Sequence, residues 1–377
     1  MRIVQVAPYF HPHAGGVESH VRAIAREFAR TGHDVTVLTS RFRPDLPEEE
    51  RFEGYRIVRA RSLGVAFNTP LDYGIGAWVE RLDADIFHLH FPPPFTSYFA
   101  TRHLRRRGVP SCLTYHCDLF LSTPIGAALT GAYNRLLLPS TLDRVDRIIV
   151  HTRSYALTSR YLRERPVEII PSSVDLDRFR PDVDGAGVRS SLHLTDRRVI
   201  AFTGRLVPHK GVDDLVRALA RLPEDVALLV IGNGPGLGEV NSLARRLKVE
   251  HRIRLCPWVS DADLPRYLRA ADLFVFPSTN RLEGFGLAVA EALASGLPAV
   301  IADIPGVREV IEPGREGILA EPLMEGDLAA KVRELLDDPA RRAEMARAAR
   351  ARAEARYGVA TVTGALYELY QRLIAAG

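Results

Sequence analysis

Cysteine is scarce in this chain. Cys112, Cys117 and Cys256 are the only three thiols in 377 residues. An odd number without paired spacing excludes a disulfide framework, and reduced thiols fit a cytoplasmic setting. Lysine is nearly absent as well: Lys210, Lys248 and Lys331 are the whole complement, so arginine supplies almost all of the 50 positive side chains. The formal net charge of +4 is a mild excess and calls for no nucleic-acid partner. No apolar run approaches the roughly 18 residues of a membrane span. The opening residues, MRIVQVAPYF, lack a charged segment followed by a long apolar stretch, so no signal peptide is expected. The expected location is cytoplasmic, with any membrane contact peripheral and on the inner face.

Metal-binding patterns are also thin. Asp83-x-Asp85 and Asp261-x-Asp263 resemble the acid pairs that hold a metal–diphosphate. Both precede elements where Asp is a natural cap or turn residue, so both read as structural. His88-x-His90 sits in a strand pattern with both rings on one face. Nothing acidic surrounds it to complete a zinc site.

What is present is an α/β alternation. Apolar residues make up 46% and charged residues 25%, enough for two full cores in a chain of this length. Short β-branched runs fall at 2–7, 34–39, 55–59, 86–90, 111–115 and 147–151. Residues 17–30 form an amphipathic helix, with Val17, Val21, Ile24, Ala25 and Phe28 on one face. A polar stretch follows and reads as a linker over 181–198. The alternation restarts with strands at 199–203, 227–231, 253–256, 273–276 and 299–301. Strand–helix–strand order of this kind gives parallel sheets covered on both faces. The expected organisation is a Rossmann-like unit over 1–180, a second over 199–356, and a final helix over 357–377. That helix carries an apolar stripe of Leu366, Leu369, Tyr370 and Leu373, which must bury a face.

Open α/β sheets bind ligands beyond the carboxyl ends of their strands, so the loops there are the candidates. The first strand leads into a loop ending Gly15-Gly16 before the helix. Such glycines let an anion approach backbone N–H groups at a helix start, though a plain tight turn would read the same. Strand 199–203 leads into Gly204-Arg205 and His209-Lys210-Gly211. Two fixed cations there would neutralise a diphosphate, where a solvated loop is the bland alternative. After strand 273–276 comes Glu283-Gly284-Phe285-Gly286-Leu287-Ala288-Val289-Ala290-Glu291. Its two carboxylates lie about 12 Å apart along a helix. Each could accept hydrogen bonds from a sugar's hydroxyls, with the helix N-terminus between them facing a phosphate. His116 follows strand 111–115 at another carboxyl end, where it serves either structure or a site.

Taken together, Gly15-Gly16-Val17, Gly204-Arg205…Lys210-Gly211 and Glu283-x7-Glu291 resemble the family-4 glycosyltransferases of the GT-B architecture, in order and spacing along essentially the whole chain. The resemblance implies two Rossmann-like domains facing each other across a cleft. It implies that Arg205 and Lys210 bind the donor diphosphate, Glu283 the transferred sugar and Glu291 the nucleotide ribose. Backbone amides of Phe285, Gly286 and Leu287 would face sugar and phosphate, and Gly16, after Gly15, would admit the diphosphate. His116 would stand beside the sugar at the reacting centre. Pro257, Trp258 and Val259 would line the base pocket. The final helix would return to the N-terminal domain. The family works with retention of configuration and without a metal or other cofactor, by front-face attack in which the leaving diphosphate takes the acceptor proton and domain closure aligns the reactants.

The donor stays open among GDP-mannose, UDP-glucose and UDP-N-acetylglucosamine. The acceptor would be a glycan or a lipid-linked hydroxyl, with Glu18 and His20 of the first helix as candidate contacts. The basic cluster Arg102, Arg105, Arg106 and Arg107, with the apolar stretch 124–139, would suit an anionic membrane or be a solvated helix end beside a core helix. Two rivals remain: a nucleotide-sugar epimerase or hydrolase on the same fold, which would turn over donor alone, and a two-lobed sugar-binding protein, which would ordinarily be exported.

Overall fold

The computed structural model describes residues 1–13, 15–66, 69–120 and 123–376. The chain divides into two compact units: Met1–Ser173 with Val359–Gly377, and Val174–Gly358.

Unit 1 contains β1 (Arg2–Val6), β2 (Asp34–Ser40), β3 (Glu49–Phe52), β4 (Tyr55–Ala60), β5 (Val65–Ala66), β6 (Thr69–Pro70), β7 (Ile86–Phe91), β8 (Ser111–Tyr115), β9 (Arg147–Val150) and β10 (Val167–Ile169). Eight of these form one sheet in the order β10-β9-β8-β7-β1-β2-β4-β3, while β5 and β6 pair separately. Neighbours in the large sheet are parallel except β3 with β4. The charged edge strand β3 and the three-residue β10 have no periodicity by which sequence would reveal them.

Alternation along the strands sorts side chains onto two faces. Val4, Val6, Phe87, Leu89, Phe91, Leu113 and Tyr115 enter one core. Ile3, Ala7, Ile86 and Cys112 enter the other, beneath the helix Gly16–Arg30. That helix buries His20, Val21, Ile24, Ala25 and Phe28. The last helix, Val359–Ala376, buries Val362, Leu366, Leu369, Tyr370 and Leu373 in this same core. Phe28 and Tyr370 meet with ring centroids 5.6 Å apart.

Unit 2 contains β11 (Arg198–Thr203), β12 (Val226–Ile231), β13 (Ile253–Cys256), β14 (Leu273–Phe276), β15 (Ala299–Ala302) and β16 (Gly317–Ala320), ordered β13-β12-β11-β14-β15-β16. All neighbours are parallel. This is the 3-2-1-4-5-6 order of a doubly wound dinucleotide-type sheet, whose strand order reverses between β11 and β14. In unit 1 the reversal lies between β1 and β7.

The stretch 181–198, expected as a linker, belongs instead to unit 2. It holds the helix Ala186–Ser191, whose Val188 is buried in the core. Its polar residues anchor rather than solvate: Arg189 donates to the Ala270 carbonyl at 2.8 Å and pairs with Asp272 at 2.8 Å.

Candidate active site

In unit 2, the loops after β11 and β14 emerge where the strand order reverses. Gly211 ends the short turn Pro208–Lys210 in the left-handed region, with φ 67°. A Cβ there would come within 2.1 Å of the Pro277 carbonyl oxygen just past β14, so only glycine lets the two loops close on each other. Thr279 then donates from its backbone N–H to the His209 carbonyl at 2.8 Å. This stitching brings Lys210 to Glu283, and the two form an ion pair, each side chain mostly buried. The Lys210 ammonium also lies 4.9 Å from the centroid of the Phe276 ring. Arg205, from the same loop, is exposed to solvent.

Gly286, with φ 83°, is the N-cap of the helix Leu287–Ala294, and no side chain caps that helix. Its positive end is therefore available to an anion beside the Lys210–Glu283 pair. Phe285 is buried and packs edge-on against Tyr357, centroids 5.6 Å apart, which fixes the approach to the helix. Glu291 lies one turn in, half-buried. Burial pushes its carboxyl up to about 7, against the pull of Arg178. Val259, beyond β13, packs partly on the core, whereas Trp258 beside it is 85% exposed.

In unit 1, Gly15 is the extended N-cap of the helix Gly16–Arg30. Ala14 of that loop lies outside the described residues. A Cβ on Gly16 would meet nothing within 4 Å, so no packing demand explains the glycine. Glu18 turns back toward the loop: its carboxylate lies 3.0 Å from His13 Nδ1 and occupies the space a Gly15 side chain would need.

His20 was expected to face an acceptor and does not. It is 3% exposed, with Nδ1 within 3.2 Å of Ser172 Oγ and 3.3 Å of Ser173 Oγ. The reason is helical phase: position 20 shares the face of Ile24 and Phe28. It belongs to a buried polar cluster that motif reading missed. Gln5 on β1, His88 and His90 on β7, and Thr114 on β8 share one sheet face, and His116 and His151 extend it past the strand ends. The one local signal was the His88-x-His90 alternation on β7, since Gln5 and Thr114 join it only through the sheet register.

Apart from His20, which meets the rings of His90, His116 and His151 edge-on, the cluster is one hydrogen-bonded chain. His88 Nε2 lies 2.7 Å from Thr114 Oγ1, and its Nδ1 lies 2.6 Å from Tyr370 OH. Tyr370 lies 3.3 Å from the Gln5 amide nitrogen, and Gln5 Oε1 lies 2.9 Å from His90 Nε2. His90 Nδ1 reaches His116 Nε2 at 3.1 Å, and His116 Nδ1 reaches His151 Nε2 at 2.9 Å. His151 Nδ1 ends the chain on the Ile170 carbonyl at 3.0 Å. A carbonyl only accepts, so neutral His151 donates from Nδ1 and accepts at Nε2. His116 and His90 repeat that pattern. His90 Nε2 must then meet a donor, so with every ring neutral the Gln5 amide presents its NH2 to His90 and its oxygen to Tyr370. With the amide the other way round, His90 would carry a proton on both nitrogens. Burial opposes that charge: it holds His20, His90 and His116 well below the ordinary histidine range, His88 at about 3 and His151 at about 4. His116 thus has both nitrogens engaged inside unit 1.

Two further expectations concern charge. Asp83 and Asp85 both pair with Arg2, and Asp263 accepts from Ser260 Oγ at 2.6 Å, so neither acid pair is arranged as a metal site. Among the described residues, no group of three or more His, Cys, Asp or Glu side chains is placed to hold a metal ion. Of the basic cluster, Arg102, Arg105 and Arg106 are exposed. Arg107 is not available to a surface: it donates to the Leu82 carbonyl at 2.7 Å and lies over the Phe87 ring. No helix among the described residues is long and apolar enough to cross a membrane.

Comparison with known proteins bears on the family and the fold. A family model described as "Glycosyltransferase Family 4" matches residues 14–178, and one described as "Glycosyl transferases group 1" matches 188–352. The chain is 30% identical over 358 residues to a GDP-mannose-dependent alpha-(1-6)-phosphatidylinositol monomannoside mannosyltransferase of Mycolicibacterium smegmatis, covering 90% of this chain and 91% of that one. It is 29% identical to a D-inositol 3-phosphate glycosyltransferase of Thermobispora bispora, covering 95% and 90%. Among solved structures, sucrose-phosphate synthase of Thermosynechococcus elongatus superposes with a TM-score of 0.81 at 21% identity over the whole of both chains. Anabaena HepE in complex with UDP superposes at 0.80 and 21%, covering 99% of this chain and all of that one. At that identity these two likenesses speak for the GT-B fold.

Proposed function

This chain belongs to the family-4 glycosyltransferases and uses a nucleotide-sugar donor; from that premise we propose that it transfers a hexose with retention, without a metal, to a hydroxyl of a lipid-linked or inositol-containing acceptor. The observation that carries the reading is the Lys210–Glu283 pair, held at the strand-order reversal of unit 2 beside an uncapped helix mouth. Lys210, Arg205 and the amides of Gly286 and Leu287 would take the diphosphate. Glu283 would accept hydrogen bonds from sugar hydroxyls and Glu291 from the ribose, with Val259 beside the base. Two fixed cations and a helix terminus can stabilise the leaving diphosphate's charge in place of a metal ion. The diphosphate oxygen, so held, would accept the acceptor's proton as the glycosidic bond breaks. From unit 1, Gly16 would leave room for the phosphates. His116, neutral and held at both nitrogens, would orient the site rather than shuttle a proton, and Glu18 remains the candidate acceptor contact.

GDP-mannose and a phosphatidylinositol mannoside are the first donor and acceptor to try, given the M. smegmatis relative's name. UDP-glucose and UDP-N-acetylglucosamine are the alternatives. Exposed Arg102, Arg105 and Arg106, with exposed Ile125, Leu129 and Leu136 on the helix Pro124–Leu136, would bring the protein to an anionic lipid surface. The deciding experiment is product analysis with chelator present. An α-linked product from an α-linked donor, at an undiminished rate, is expected. An inverted product, or activity lost in chelator and restored by a divalent cation, overturns the respective part. Donor turnover that needs no acceptor would point to the hydrolase or epimerase reading instead.

A further inference from the structure

At the opposite end of the unit 1 sheet, away from the strand ends that face ligands, lies a cavity of about 490 Å³. It opens where β8 and β9 begin, at Ser111 and Arg147, and is walled by Leu104, Val145 and Leu373. Its charged lining is Arg105, Arg144, Arg147, Asp143 and Asp146. The two acids are already engaged. Asp146 accepts from the Ser111 backbone N–H at 2.7 Å, and Asp143 pairs with Arg165. The arginines are far less so. Arg147 donates to the Asp146 carbonyl at 2.9 Å but approaches a carboxylate, Glu168, only to 4.0 Å, and Arg144 lies over the Tyr98 ring with its Nη1 buried and without a hydrogen-bond partner.

Three guanidiniums against two carboxylates leave the lining with a positive excess, which favours an anion in the space between them. A buried, unsatisfied guanidinium N–H costs free energy that a bound oxyanion would recover. The apolar walls and the volume exceed what a bare inorganic anion needs and suit a small organic ligand. We propose that this cavity binds a phosphate ester carrying an apolar portion, at a site separate from the donor loops. Two sources offer that chemistry: a free phosphorylated small molecule, and the headgroup of an anionic phospholipid. The site stands independently of the transferase reading, since none of its residues takes part there except Arg105 at the surface.

The test uses the full chain and two probes. Phenyl phosphate is titrated by thermal shift. Vesicles of phosphatidylcholine and phosphatidylglycerol in equal parts are compared with phosphatidylcholine alone by sedimentation. Arg144→Gln combined with Arg147→Gln is expected to raise the half-saturating concentration of the bound probe at least tenfold. Because Arg144 stacks on Tyr98, Arg147→Gln alone is read instead if the double variant loses stability. Arginine-dependent binding of phenyl phosphate identifies a free effector, and arginine-dependent binding of vesicles alone identifies a lipid headgroup. If neither probe binds, or both bind the variants as tightly as wild type, the site is refuted while transferase activity is untouched.

Discussion

Lys210 and Glu283 hold each other, and each is a group that a nucleotide sugar would need. A bound diphosphate must draw the ammonium away from the carboxylate, and the sugar hydroxyls must replace it there. The two residues should therefore answer mutation differently. Lys210→Ala should weaken nucleoside diphosphate binding and cut turnover at least tenfold. Glu283→Gln should cut turnover as much, yet leave nucleoside diphosphate affinity unchanged or tighter, because the competitor for Lys210 is gone. Calorimetry beside steady-state rates decides it. Equal losses of affinity in both variants would contradict the arrangement.

Glu291 supplies a pH dependence. Its carboxyl, ordinarily near 4.5, sits at about 7, so in the empty protein it is largely protonated below that pH. Ribose hydroxyls donate best to the ionised form. Donor affinity should thus fall about tenfold per pH unit below 7 and level off above it. The same shift makes ionisation destabilising, so this residue's stabilising contribution is lost as pH rises from about 4.5 to about 7. Glu291→Gln should flatten the binding profile. A profile equally steep in the variant would assign the proton elsewhere.

Gly16 separates stability from function. A Cβ there meets open space, and alanine in a helix is favoured over glycine by about 0.5–1 kcal/mol. Gly16→Ala should melt at the same temperature or slightly higher while losing turnover several-fold. A stabilised variant with full activity would show that nothing approaches this backbone.

The histidine chain makes unit 1 acid-labile. Its rings are neutral when folded and protonate near 6.5 when unfolded, so the stability they confer is complete above about 6.5 and drains away as pH falls toward their depressed folded values. Each ring adds a slope of up to about 1.4 kcal/mol per pH unit in that window. The denaturant midpoint should be flat from pH 7 to 8 and drop steeply between pH 6 and 5. An unchanged midpoint down to pH 5 would mean the cluster charges at no cost.

The strands and helices around the two strand-order reversals were legible because period-2 and period-3.6 patterns are local. Arg205, Lys210 and Glu283 stood out as candidates because each lies in a loop after a strand, and Glu291 because it follows Glu283 at helical reach. What escaped was set by tertiary register. The ion pair between positions 210 and 283 depends on two loops meeting at Gly211. His20 and His116 looked like solvent-facing site groups because nothing local shows that β1, β7 and β8 align Gln5, His88 and Thr114 beneath them. The stretch at 181–198 looked like a linker because its arginines resemble solvated charge until their partners, Ala270 and Asp272, are brought alongside.

Unit 1 is interrupted in sequence: it breaks off at Ser173 and resumes at Val359. On a ribosome, the first segment, Met1–Ser173, must wait for the short final one, Val359–Gly377. Through that interval Phe28 lacks the Tyr370 ring that finally stands against it, and His88 lacks one of its two hydrogen-bond partners. The intervening unit, continuous in sequence, can fold without that wait. A nascent chain arrested before residue 359 should therefore expose a protease-sensitive first half attached to a protected second one.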